Sequence, residues 1–161
     1  MLLYDPKTSR WHLDDELYSG FAVSYYEDGT FKEKFGILNG RKHGQSIHCY
    51  KDGHYRLVAN YQDGKLDGDK KSWSSDSLHT LVSHFKFVSG KPHGEQLKWY
   101  LTGELFTKQH MNMGEEEGLQ QAFRTNGDLY ANYEARNGRI FGLKKSALCY
   151  SLEDEEIKLN K

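Results

Sequence analysis

Proline and cysteine are scarce in this chain of 161 residues, which holds 2 of each. Two cysteines, Cys49 and Cys149, are too few for a disulfide-rich scaffold, and whether they pair stays open. No apolar run approaches the length of a membrane-spanning helix. The opening residues, Met1 to Pro6, lack a basic region followed by an apolar one, so no secretion signal is read here. Cytoplasmic and exported homes both remain open. An excess of charge of either sign is missing too, because 22 Lys and Arg oppose 23 Asp and Glu. That balance argues against a nucleic-acid binder, which needs a concentrated positive track. Without an extended Lys/Arg ridge there is also little general attraction to anionic lipid headgroups.

What the sequence does have is glycine in strict order. Gly20, Gly44, Gly68, Gly94, Gly118 and Gly142 are spaced by 24, 24, 26, 24 and 24 residues. Gly40, Gly64, Gly90, Gly114 and Gly138 each precede the next of these anchors by four residues. Gly29, Gly53, Gly103 and Gly127 follow theirs by nine. Together the three series take 15 of the 16 glycines and leave only Gly36 aside. A fixed period of this length marks a repeat array.

Each unit reads as a β-hairpin followed by a return turn. Asp28-Gly29, Asp52-Gly53, Thr102-Gly103 and Asn126-Gly127 are taken as the hairpin turns, Asp-Gly and Asn-Gly being pairs in which both residues tolerate positive φ. Apolar residues alternate after the turn, as in Tyr55, Leu57, Ala59 and Tyr61, a period of two that argues strand. The third unit has two extra residues and no turn glycine, so its insertion is expected in the hairpin loop around Ser72–Leu78. The predicted fold is all-β: a single elongated domain of antiparallel hairpins, with a cap or partial strand over 1–19, five repeats over 20–142, and a partial sixth repeat with an acidic cap over 143–161.

Gly94-Glu95-Gln96-Leu97-Lys98-Trp99-Tyr100-Leu101-Thr102-Gly103 resembles a MORN repeat of the bacterial variant type, as do Gly44–Gly53 and Gly118–Gly127. The junctions Gly64–Gly68 and Gly90–Gly94 match the return between such units. The resemblance covers roughly Leu17 to Tyr150 and extends to proteins labelled YwqK-like antitoxins. It implies an elongated, curved sheet and a role in binding proteins or membrane lipids or in scaffolding assemblies.

Candidate chemistry is thin. No nucleotide-binding glycine loop, P-loop or H-E-x-x-H is present, and the serines near Ser72 lack a nucleophile elbow. His43 and His93 lie four strand spacings apart in such an array, on the order of 19 Å, too far to share an ion. His48 and Cys49 should face opposite sides of their strand, with His54 beyond the turn. His110, Met111 and Met113 have the ligand chemistry of copper sites, but Met111 falls on a recurrent apolar place, so copper or redox handling is the alternative reading and no metal or cofactor is expected. The leading expectation is a noncatalytic module whose partner is another protein, with self-association open, nucleic acid disfavoured and a membrane role unsettled. Tyr26, Tyr50 and Tyr100, one per unit on the face opposite the apolar stripe, are the candidate contact residues.

Overall fold

In the computed structural model, which describes residues 1–143, 150–153 and 156–159, every regular element is a β-strand. Leu2–Asp5 (β1), Arg10–Leu13 (β2) and Glu16–Leu17 (β3) form a small antiparallel sheet. The repeats then supply Gly20–Tyr25 (β4), Phe31–Leu38 (β5), Arg41–Cys49 (β6), Tyr55–Gln62 (β7), Lys65–Trp73 (β8), Leu81–Val88 (β9), Lys91–Trp99 (β10), Leu105–Asn112 (β11), Glu115–Glu116 (β12), Gly118–Phe123 (β13), Leu129–Arg136 (β14) and Arg139–Leu143 (β15). Tyr150–Glu153 (β16) and Glu156–Leu159 (β17) pair with each other. Of the sixth-unit strand expected over 143–150, residues 144–149, Cys149 among them, lie outside the described residues, as does the middle of the acidic run.

Strands β4 to β15 make one 12-stranded antiparallel meander in which neighbours in sequence are neighbours in space. The sheet does not close into a barrel. Eleven strands lie along its path, with short β12 off it beside β11. At the usual strand spacing the array runs roughly 48 Å.

The three glycine series hold three different places. Gly40, Gly64, Gly90, Gly114 and Gly138 close two-residue turns with Asn39, Asp63, Ser89, Met113 and Asn137, and both residues of each pair have positive φ. These are the primed hairpin turns. The sequence reading put them at the Asp-Gly pairs, and this is corrected: Asp28, Asp52, Thr102 and Asn126 do not have positive φ, and only the glycine after each does. Their loops are longer. Tyr26 N–H donates to the Thr30 carbonyl at 2.8 Å and Gly29 N–H to the Tyr26 carbonyl at 2.9 Å. The Asp28 carboxylate accepts the Thr30 N–H at 3.0 Å, so Asp serves here as a side-chain acceptor.

Four of the six anchor glycines, Gly44, Gly68, Gly94 and Gly118, mark bulges in the pairing. Phe35 pairs with Ser46 and Ile37 with Lys42, so Gly36 alone opposes His43, Gly44 and Gln45. The same slip recurs around Gly68 and Gly94. At Gly118 it separates β12 from β13, both of which pair with β11. Gly44, Gly68, Gly94 and Gly118 have φ between 75° and 93°, which a side chain makes costly. Gly36 meets a different constraint, since a Cβ there would collide with the His43 carbonyl oxygen.

One sheet face carries the core stripe. Register aligns Ala22, Phe35, Ser46, Ala59, Lys70, Phe85 and Gln96 across seven strands. Phe35, Ile37, Ser46, Ala59 and Gln96 are buried. The N-terminal sheet covers the start of this stripe: the Trp11 ring lies 5.3 Å from the Phe35 ring, and Trp11 N–H donates to the Gly40 carbonyl at 2.7 Å. Full burial of such an aromatic contributes about 1.5–3 kcal/mol.

Candidate functional site

Tyr26, Tyr50 and Tyr100 are half-buried, and their hydroxyls are engaged. Tyr26 donates to the Cys49 carbonyl at 2.9 Å, Tyr50 to the Trp73 carbonyl at 2.8 Å and Tyr100 to the Phe123 carbonyl at 2.9 Å. Each acceptor lies 23 residues ahead, at the end of the next unit's strand. The tyrosines thus tie one hairpin loop to the next. On the opposite edge, Gly64, Gly90 and Gly114 N–H groups donate to the carbonyls of Lys42, Leu66 and Pro92 at 2.7–2.8 Å, joining successive tight turns.

The most exposed apolar row lies on the first strand of the array. Phe21, Val23 and Tyr25 alternate along β4 at 64%, 45% and 61% exposure, on the face away from Trp11. Lys34 Nζ sits 4.5 Å over the Phe21 ring. β4 is an end of the sheet's strand path, and among the described strands none pairs with its outer side. Phe21 has one tie there, its carbonyl accepting the Tyr18 hydroxyl at 3.1 Å. Alternation sends a β-strand's residues to opposite faces, so covering Ala22 and Ser24 on the core side leaves Phe21, Val23 and Tyr25 open on the other.

The histidines distribute unevenly. His48 Nδ1 faces Glu33 at 3.0 Å, yet burial holds the imidazole below its usual pKa despite that carboxylate, with Lys42 and Arg56 adding in the same direction. His110 Nδ1 is hydrogen-bonded to the Glu117 carbonyl at 2.9 Å. Met111 follows it in β11 and so projects to the other face, and Met113 sits in a tight turn; the three do not converge. Cys49 is a buried free thiol, its pKa raised by burial and by Asp52.

One cluster escaped the sequence reading. The enlarged loop of the third unit is closed by Ser74 N–H donating to the Thr80 carbonyl at 2.9 Å, and it lies beside the Tyr50–His54 loop. Within it the Asp76 carboxylate accepts from Ser74 Oγ and from the Leu78 and His79 N–H groups at 2.9–3.1 Å. His79, at φ 47°, takes the place glycine holds elsewhere. Its ring stacks on His54, with centroids 3.6 Å apart and planes 12° from parallel. Asp52 faces both, 3.4 Å from His54 Nδ1 and 3.5 Å from His79 Nε2. A backbone hydrogen bond from His54 is the main cause of the lowered Asp52 pKa. The signal was weak in sequence because the two histidines occupy different places in their units, His54 at the residue that closes its loop and His79 one residue before the close of an enlarged one. No protein-family model matches the chain.

Proposed function

We propose that this chain is a noncatalytic protein-binding or scaffold module that takes an extended segment of a protein partner along the open side of β4. The observation that carries this reading is the exposed row Phe21, Val23 and Tyr25 on a strand whose outer side no described strand occupies. Strand addition there supplies backbone hydrogen bonds, while the alternating apolar side chains supply specificity. Lys34 beside Phe21 favours a segment carrying acidic residues. The MORN-type resemblance of the repeats supports the same class, and its YwqK-like branch suggests an antitoxin-like role with a bacterial protein as the partner.

The test is recovery of the partner from the native source, followed by affinity measurements on wild type and on a Phe21→Ser/Val23→Lys double variant. Affinity is expected to fall at least roughly tenfold, as for loss of central apolar contacts. Unchanged affinity in the double variant overturns assignment to β4. Sedimentation of the isolated chain distinguishes a second copy: concentration-dependent dimers abolished by the same substitutions would make the partner this chain itself.

A further inference from the structure

Asp52, His54 and His79 place three donor groups from two adjacent loops within 4.8 Å of one another. Asp52 Oδ1 lies 3.4 Å from His54 Nδ1 and Asp52 Oδ2 lies 3.5 Å from His79 Nε2, each long for a charge-assisted hydrogen bond. Both separations are close to the spacing of two ligands on one tetrahedral zinc, about 3.3 Å for bonds of 2.0–2.1 Å. His79 Nδ1 is buried with no hydrogen-bond partner, which leaves Nε2 as the nitrogen that faces the carboxylate. The His79 side chain is 18% exposed and that of His54 57%, so the site has one fixed wall and one adjustable one.

We propose that Asp52, His54 and His79 form a binding site for a divalent transition-metal ion of the zinc class, with water completing the coordination. Two imidazole nitrogens and a hard carboxylate oxygen suit a borderline divalent cation better than the soft monovalent copper that thioether sites take. A single ion cannot lie in the planes of both rings while they stack, so ligation turns them apart, and the exposed His54 has room to move. The site clips the second unit's loop to the third's, where Ser74 stands in the place that tyrosine holds in the first, second and fourth units. This proposal is independent of the β4 edge.

The repeats themselves provide substitutions that preserve the loops. Thr30 holds the place of His54 in the first unit, Asn126 the place of Asp52 in the fifth, and glycine the place of His79 in four loops. The full-length chain is titrated with Zn²⁺ against a competing chromogenic chelator, and with Co²⁺ to read coordination from its visible absorption. One-to-one binding is expected, with a four- or five-coordinate cobalt spectrum. His54→Thr, Asp52→Asn and His79→Gly should each weaken it roughly tenfold or more. His84→Gln, which touches a separate Asp69 pair, should leave it unchanged. Absence of saturable binding, or binding that survives His79→Gly, overturns the proposal.

Discussion

At the scale of single residues, the tyrosine hydroxyls decide between two roles that the sequence leaves superposed. Tyr50→Phe keeps the ring and removes only the bond to the Trp73 carbonyl. Its expected cost is about 0.5–1.5 kcal/mol, read as a lowered urea midpoint, with partner affinity unchanged. Lost affinity at constant stability would instead make these hydroxyls contact groups. The sequence shows that the tyrosines recur, but not that each hydroxyl reaches a carbonyl 23 residues away, because that depends on the offset between adjacent loops. His48 brings a pH dependence. Burial depresses its folded-state pKa, so between that value and about 6.5, its ordinary one, the unfolded chain binds more protons. Stability is therefore fully present above the unfolded value and falls as acid is added through the folded one. His48→Gln should flatten the loss of urea midpoint between neutral and mildly acidic buffer.

The elements show which part of the glycine code was readable. Period and strand alternation follow from spacing alone, and the hairpin array follows from them. Turn type does not, because Asp-Gly serves two geometries: a primed pair with two positive φ angles, or a longer loop where Asp accepts a backbone N–H as Asp28 does. The primed turns include Ser89-Gly90 and Met113-Gly114, whose first residues are not the Asn or Asp that such turns favour. Met113 sits at φ 49°, a conformation that asparagine tolerates better. Met113→Asn should raise stability by about 0.5–1 kcal/mol, measured by denaturant titration. Gly94→Ala should lower it by about 1 kcal/mol or more, because φ is 80° although the Cβ would meet nothing closer than 3.7 Å. Equal stability of Gly94→Ala and wild type would show that the bulge can reshape.

For the whole molecule, the meander makes stability a sum over neighbours. Among the described strands, each strand of the path pairs only with the strands beside it, and the N-terminal sheet adds its cover near β5. Amide exchange should be slowest in β6–β10 and faster toward β4 and β14, in steps of one hairpin. A single global exchange rate across β4–β15 would contradict this. Zinc bound between the second and third units should slow exchange there first. The sequence concealed that site because His54 and His79 occupy different repeat places, and only the stacking of unequal loops brings them together.

The direction of the hydrogen bonds has a mechanical consequence. In this meander they run along the array, from one strand to the next, so tension applied between its two ends loads the ladders in series. Strands would peel away rather than slide, with bonds at the loaded margin yielding a few at a time instead of a whole row at once. The array is thus a compliant element under load, one that pays out chain hairpin by hairpin.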